Sequence, residues 1–515
     1  MNTIKDELCA ELDRRVTDKI LEPTNAELLR KLITNADSDN EAMMIAELGT
    51  TYKRTGLHFD KRLEKMTNDI RYFKKNERLS FHTDDAKPTH KLIIGDNYEA
   101  LQNLLIQYKG KVDVIYIDPP YGKDSMGEFA QTNYENAITR DNLLSMLYPR
   151  LMLAKLLLSD SGVIFCSIDD KNQAYVKCLF DEVFGERNFI TTIVRKTKTM
   201  AGDDGNGLNL QHEYLEIFAK NKATVFFHGE QKAFTEYDNP DNDPNGPWCP
   251  ADPSAKSGGD ATYFPIENPL TNKVDYPPKG RFWAFSKKTL QKYIDEGRIK
   301  FRTNYSDSQR GFIFKRYKNK MENVYNAVDT LFGVDNSFMN QTGTLESLSI
   351  LGDRVFDYPK PVPFVSKIVQ YSSNLDSIVL DFFAGSGTTG HAVLDLNEKD
   401  GGNRTFILCQ LNEKTDTTPN GIAYDVTSKR LKRVMTGECY DGGKDFDWIK
   451  KNKPYGGNLD VYEMASVANF EATKDKSPFD VIDETLYGCK HFQSLQEKIE
   501  WVCQNFRNTQ KTVEE

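Results

Sequence analysis

Cysteine is scarce in this chain, with eight in 515 residues and no C-x-x-C pair. That pattern serves neither a disulfide framework nor a structural zinc site. Histidine is scarcer still, at seven, and no H-E-x-x-H occurs, which sets aside the helix-borne zinc hydrolases. No G-K-[ST] follows a glycine loop to grip a phosphate, and no nuclease cluster stands out. Apolar runs are short of the ~18 residues that a membrane helix needs. The best stretch, Leu151 to Leu158, is interrupted by Lys155. The N-terminus is charged and has no apolar signal core, so a cytoplasmic location is the expectation. Basic charge is also short overall: the net charge is −9, and a basic face would have to be local.

What is present is a long and periodic chain. At ~150 residues per domain, its length suggests roughly three domains. Residues 1–85 read as a charged helical segment, with Leu8, Leu12, Val16 and Ile20 at helical spacing and a further amphipathic stretch from Asp60 to Lys75. Residues 86–228 change character. Strands Lys91 to Ile94, Val112 to Ile117 and Gly162 to Ile168 alternate with helices Tyr98 to Gln107, Leu143 to Leu158 and Asn172 to Phe184. Such alternation predicts an α/β domain with a mostly parallel sheet. The rhythm is lost from about Ala201 and returns near Gly352. Residues 229–350 therefore read as an insert, and 351–440 as the second half of the α/β domain, with strands Ser377 to Leu380 and Thr405 to Gln410 around helix His391 to Asn397. Residues 441–515 form a C-terminal accessory segment with a helix near Leu495 to Phe506. Within the insert, Lys273 to Lys320 carries fourteen Lys and Arg against four acidic residues, interleaved with aromatics. In an acidic protein that contrast favours a face that binds a polyanion.

Two strings carry chemistry. Gly385-Ser386-Gly387-Thr388-Thr389-Gly390 follows a strand and opens a helix, a setting that offers backbone N–H groups to an anionic ligand. Alone it fits a dinucleotide site equally well. The phenylalanines after Asp381 and the second string turn the reading towards S-adenosylmethionine, whose carboxylate needs N–H donors and whose adenosine needs an apolar slot. That second string is Asp118-Pro119-Pro120-Tyr121, at the end of a buried strand, where open α/β sheets bind ligands. Asp118 and the carbonyl of Pro119 can both accept hydrogen bonds from one amine. An amine under alkylation turns tetrahedral and gains positive charge, and two fixed acceptors stabilise that change more than the planar ground state. Tyr121 can stack on a planar base.

These residues resemble the amino-methylating DNA methyltransferases. The catalytic string precedes the cofactor string by about 260 residues, which resembles their beta class. Leu92 to Asn97, Gly162 to Asp170, Phe184 to Phe189 and Tyr358-Pro359-Lys360-Pro361 are similar to the modification subunits of type III restriction-modification systems. The resemblance implies a circularly permuted Rossmann-like sheet, with residues 229–350 as the target-recognition domain and terminal accessory segments. It implies methyl transfer from S-adenosylmethionine to the N6 amine of a flipped adenine. Asp118, Pro119, Pro120 and Tyr121 would handle the adenine. Phe383, Gly385, Gly387 and Thr388, after Asp381, would line the methionine end of the cofactor, and Lys360 would approach its carboxylate. Asp96, beside Asn97, would reach the cofactor's adenine. The ribose ligand is Gln410 or Glu413, since no acidic residue ends the strand after the glycine turn. Arg281, Lys287, Lys288, Arg298, Lys300 and Arg302 would contact DNA phosphates. Double-stranded DNA, a second copy of the chain and a restriction subunit are the implied partners, with association to the nucleoid. The same chemistry on cytosine N4, a stand-alone methyltransferase and a non-catalytic specificity subunit are the alternatives.

Overall fold

Strands from both halves of the chain interleave in one sheet. The structure, a computed structural model, describes residues 4–17, 21, 23–48, 69–120, 139–200, 207–321 and 324–468. Tyr121, residues 60–68 of the expected amphipathic segment and the helix expected at 495–506 lie outside the described residues.

In chain order the sheet strands are β1 (Asp69–Lys75), β2 (Thr89–Ile94), β3 (Val112–Ile117), β4 (Leu158–Ile168), β5 (Phe189–Lys196), β6 (His212–Ala219), β7 (Leu331–Phe332), β8 (Ile378–Asp381), β9 (Thr405–Gln410) and β10 (Asn458–Ala468). Their spatial order is β1-β10-β2-β9-β8-β3-β4-β6-β5-β7, with the two-residue strand Phe81–His82 against β10. From β10 through β4 all neighbours run parallel. The outer pairs β1/β10, β4/β6 and β5/β6 are antiparallel. The parallel strands read as continuous apolar runs because helices cover both faces. On one face lie α4 (Asn97–Tyr108), α5 (Thr139–Leu157) and α6 (Gln173–Phe184). On the other lie α9 (Val362–Ser372), α10 (Thr388–Asp400) and α11 (Lys429–Thr436). Among the described residues no helix is long and apolar enough to cross a membrane.

The expected α/β sheet is present, and β3 and β8 lie side by side in it, pairing Val379 with Val114 and Leu380 with Ile115. Asp113, the one polar residue in its strand, has a partner on each side. Its carboxylate accepts from Ser159 Oγ at 3.0 Å and from the backbone N of Ile378 at 3.0 Å.

Several segments depart from the expected organisation, and β10, within residues 441–515 expected to be accessory, lies inside the central sheet. β1 is a strand where the pattern predicted helix; Tyr72 and Phe73 are buried, and its partner β10 is remote in sequence. β5 and β6 form a hairpin that extends the sheet, so the second strand of the hairpin, inside the stretch where the rhythm fades, is part of the central layer. β7 also pairs into that layer and α8 (Asn340–Leu351) packs against its face, although both were expected in the insert. The helices α1 (Ile4–Thr17), α2 (Pro23–Asn35) and α3 (Asp39–Leu48) pack through their own small core around Leu12 and Ile33. Much of the insert likewise has a separate core, formed by Phe264, Ile266, Trp283, Phe285, Ile299 and Phe312, beside helix α7 (Lys287–Asp295).

Candidate active site

The carboxyl ends of β2, β9, β8 and β3 are neighbours, and each ends in a candidate residue: Asp96, Gln410, Asp381 and Asp118 respectively. Residues far apart in sequence are thus brought to one edge of the sheet.

The glycine turn is held from several sides. Asp381 is buried and forms the turn itself: one oxygen accepts from the N–H of Phe383 at 2.9 Å and the other from Thr389 Oγ1. Burial pushes its carboxyl up to about 7, against those two donors. Gly385 and Gly387 take φ values of +51° and +80°, which side chains with a Cβ rarely adopt. A Cβ on Gly385 would stand 3.1 Å from the ring of Phe356, so this aromatic covers the turn. A Cβ on Gly387 would instead meet Thr427 and Leu431, on the protein side. Thr427 sits in a π-helical segment, Ala423–Ser428, and its hydroxyl donates to the carbonyl of Gly385 at 2.6 Å. Behind the turn the buried Arg430 donates to Ser386 Oγ at 3.0 Å and Thr388 Oγ1 at 3.1 Å, and pairs with Glu346 at 3.0 Å. Phe356, Thr427 and Arg430 were not legible as site residues, because each lies outside the motif and reaches it only in three dimensions.

Several of the expected site side chains have partners within the protein. Asp96 caps α4, accepting from the N–H of Tyr98 at 2.8 Å, and pairs with the buried Arg150 at 3.1 Å. Asn97 donates to the carbonyl of Phe382 at 2.7 Å and so fastens this helix to the glycine strand. Gln410 accepts from the N–H of Gly385 at 2.6 Å through Oε1 and donates to Leu411 through Nε2, so it braces the turn. Glu413 lies in the following loop, where its carbonyl accepts from Ile422 N at 2.8 Å. Lys360 places its Nζ 2.7 and 2.8 Å from the two oxygens of Asp118, while its carbonyl accepts from Thr388 Oγ1 at 3.0 Å. It therefore links the two motifs. Burial raises the Asp118 carboxyl above its usual range, and Lys360 pulls against that rise. Pro119 is buried and Pro120 half-buried at the strand end.

The basic segment is less free than its composition suggests. Arg281 pairs with Asp252 at 3.1 Å, and Arg310 joins the same carboxylate. Lys300 and Lys315 pair with Asp241, and Lys315 also with Asp243. Burial would raise the Asp241 carboxyl, but hydrogen bonds from Lys300, Lys315 and Trp248 outweigh it and hold the group well below the usual range. Arg298 lies over the rings of Tyr293 and Phe314, at 4.2 and 5.1 Å from their centroids. Arg302 is half-buried, its backbone bonded to Gly311 and Asn268. Lys287 and Lys288 are exposed at the start of α7.

A family model described as DNA methylase matches residues 112–417, which contain both strings and the insert between them. The chain belongs to this family. A second model, of an uncharacterised conserved protein, matches residues 10–114. Among individual proteins, the Mod subunit of the type III restriction-modification enzyme StyLTI from Salmonella typhimurium is 34% identical over 389 residues, covering 68% of this chain and 58% of its own. The EcoPI Mod subunit of Escherichia phage P1 is 32% identical over 406 residues, covering 67% of this chain and 62% of its own. The type II methyltransferase M.KpnI of Klebsiella pneumoniae is 31% identical over 406 residues, covering 70% of this chain and 89% of its own. The matched region thus spans less than two thirds of either Mod subunit.

Proposed function

We propose that this chain transfers a methyl group from S-adenosylmethionine to the N6 amine of an adenine in double-stranded DNA, as the modification subunit of a type III restriction-modification system. The observation that carries the reading is the adjacency of β3 and β8, which sets the Asp118 carboxylate beside the glycine turn at one sheet edge.

The residues present fit the cofactor. The turn has two left-handed glycines, a helix N-terminus directly after it and an aromatic, Phe356, over it. This offers N–H donors to a carboxylate and an apolar wall beside them. Gly385, Gly387, Thr388 and Phe383 would hold the methionine end, and Phe356 joins that set. Asp96 and Gln410 would face the nucleoside from the ends of β2 and β9. When bound there, S-adenosylmethionine supplies an electrophilic methyl group.

The protein's own part is to hold the target amine. Asp118 and the Pro119 carbonyl act as fixed acceptors that match the tetrahedral, positively charged nitrogen better than the planar one. A base within a duplex must first be flipped out, at a cost of roughly a few kcal/mol. Phosphate contacts offset that cost. Lys287 and Lys288 suit this role because two lysines in a first turn oppose the positive end of the helix, and a bound phosphate relieves the repulsion. The Mod subunit names of two relatives support a role beside a restriction subunit, and a second copy of the chain is part of the same proposal.

Duplex DNA incubated with the protein and methyl-tritiated S-adenosylmethionine should yield label in N6-methyladenine after digestion to nucleosides. Label in N4-methylcytosine, or none, would overturn the assignment.

A further inference from the structure

Two residues outside every motif stand beside Asp118. Arg195, in β5, and Glu213, in β6, are register partners across the hairpin. Arg195 is fully buried and reaches Glu213 Oε1 through Nε at 2.9 Å and Nη2 at 2.6 Å. Its other contacts are the carbonyl of Phe338, Asn340 Oδ1 at 2.7 Å and the ring of Phe364, 4.7 Å away. Glu213 is thereby fixed from one side. On the other side, the same Oε1 lies 3.7 Å from Lys360 Nζ, which is bonded to both oxygens of Asp118. The charges run positive, negative, positive, negative and balance.

An ammonium on both oxygens of Asp118 stands where a target amine must donate. A target amine donating to Asp118 therefore competes with that ammonium for the same two oxygens. A buried ammonium that loses an acceptor is strongly disfavoured, so a second carboxylate within reach eases its release. Glu213 is such a carboxylate, its Oε1 3.7 Å from the ammonium, while the same oxygen accepts from Arg195 on its other side. Burial alone would raise the Glu213 carboxyl, but Lys360 and Arg195 outweigh it and keep the group ionised and ready to accept.

We propose that Glu213, anchored by Arg195, is a positioning residue that receives the Lys360 ammonium when the target amine takes its place on Asp118. This rests on the assignment of Asp118 to the acceptor amine. No bond other than hydrogen bonds changes, so Lys360 keeps its proton throughout.

The test uses the full chain with Glu213→Gln, Glu213→Asp, Lys360→Met and the double variant Glu213→Gln with Lys360→Met. In single-turnover methylation Glu213→Gln should be slower by about tenfold or more at unchanged S-adenosylmethionine affinity. Glu213→Asp should recover part of the rate, and it carries the test if the glutamine variant fails to fold. In the double variant the glutamine should add no further loss, because no ammonium is left to receive. A second arm needs no turnover: the Asp118 carboxyl is titrated by carbon-13 NMR in the protein without DNA. Its groups to watch are Lys360, Glu213 and Arg195, with Tyr116, Cys166 and Asp381 unchanged in every variant. Glu213→Gln should lower that titration and Lys360→Met should raise it. A Glu213→Gln rate within twofold of wild type, additive losses in the double variant, or an Asp118 titration that ignores Glu213 would each overturn the proposal. A wild-type protein that fails to methylate adenine while Asp118 responds as described would instead sink the functional reading.

Discussion

Asp118 and Asp381 are both strand-end carboxylates with raised titration, yet they have opposite tasks. Asp118 is partly open and has both oxygens bonded to Lys360. Asp381 is closed off and spends both oxygens on its own turn. The sequence reading gave Asp118 to the target adenine and Asp381 to the cofactor motif, but not the donors that each carboxylate meets, because those arrive from elsewhere. The same holds for Asp96 and Gln410, whose partners Arg150 and Gly385 are remote in sequence. Asp118→Ala should lower kcat about 100- to 1,000-fold, as for the loss of one fixed electrostatic partner, with a much smaller change in S-adenosylmethionine affinity by calorimetry. Equal losses in both would place Asp118 in cofactor binding. Asp381 predicts a pH effect on stability. Its folded value of about 7 lies above the unfolded value, so the native state keeps a proton that the unfolded chain releases. The stability this contributes is full below about pH 4 and is lost as pH rises through about 7, on the order of 4 kcal/mol at most. Asp381→Asn keeps an acceptor for Phe383 and removes the titration. Its melting temperature should fall less between about pH 5 and 8 than that of wild type, and parallel curves would refute the assignment.

The parallel strands β2, β3, β4, β8 and β9 and the helices α4, α5, α6 and α10 were legible because each buried strand is a short apolar run bounded by a turn signal; β10, α9 and α11 were not. The hairpin of β5 and β6 and the strand β1 were not. An antiparallel hairpin has no helix between its strands, so the alternation that marks the rest of the sheet is missing there. In β1 the charged residues Arg71 and Lys75 mask a strand that pairs through its backbone, each finding an acidic partner, Glu99 and Asp460. The glycine turn was legible as a motif, but its support was not. Arg430 and Glu346 come from α11 and α8, and their buried pair meets the turn from behind. Arg430→Met should take the cationic partner from the half-buried Glu346, which keeps a backbone hydrogen bond at Val362, and cost about 1.5–3 kcal/mol by denaturant unfolding. It should also weaken S-adenosylmethionine binding while leaving DNA affinity unchanged. Loss of stability with intact cofactor affinity would mean that the turn holds its shape without that brace.

Across the whole molecule, part of the basic segment's charge is met by carboxylates outside it. A net of +10 over Lys273 to Lys320 counts residues that the loop carboxylates of Asp241, Asp243 and Asp252 already neutralise. Those aspartates precede the segment in sequence, so a window over the basic run omits them. Replacing Lys287 and Lys288 with glutamine should weaken binding to every DNA sequence alike. It should flatten the dependence of log K on log salt by up to about 1.8, at ~0.9 per phosphate contact. An unchanged slope in fluorescence anisotropy would exclude α7 from the DNA path. Arg281→Gln should act otherwise, lowering the melting temperature through Asp252 with little change in slope.

The place of β10 has a consequence for how the protein is made. This strand lies between β1 and β2, and Lys75 is about 390 residues from its partner Tyr462. On a ribosome adding ~5–20 residues per second, β1 waits roughly 20–80 s for that partner. Throughout that interval the outer edge of β2 is an unpaired strand, open to the wrong neighbour. Nascent chains stalled before residue 458 should therefore be cut by protease within residues 69–94 and recruit chaperones there. Chains stalled once Ala468 has cleared the exit tunnel should resist. Early resistance would show that the first half of the sheet closes on something else while it waits.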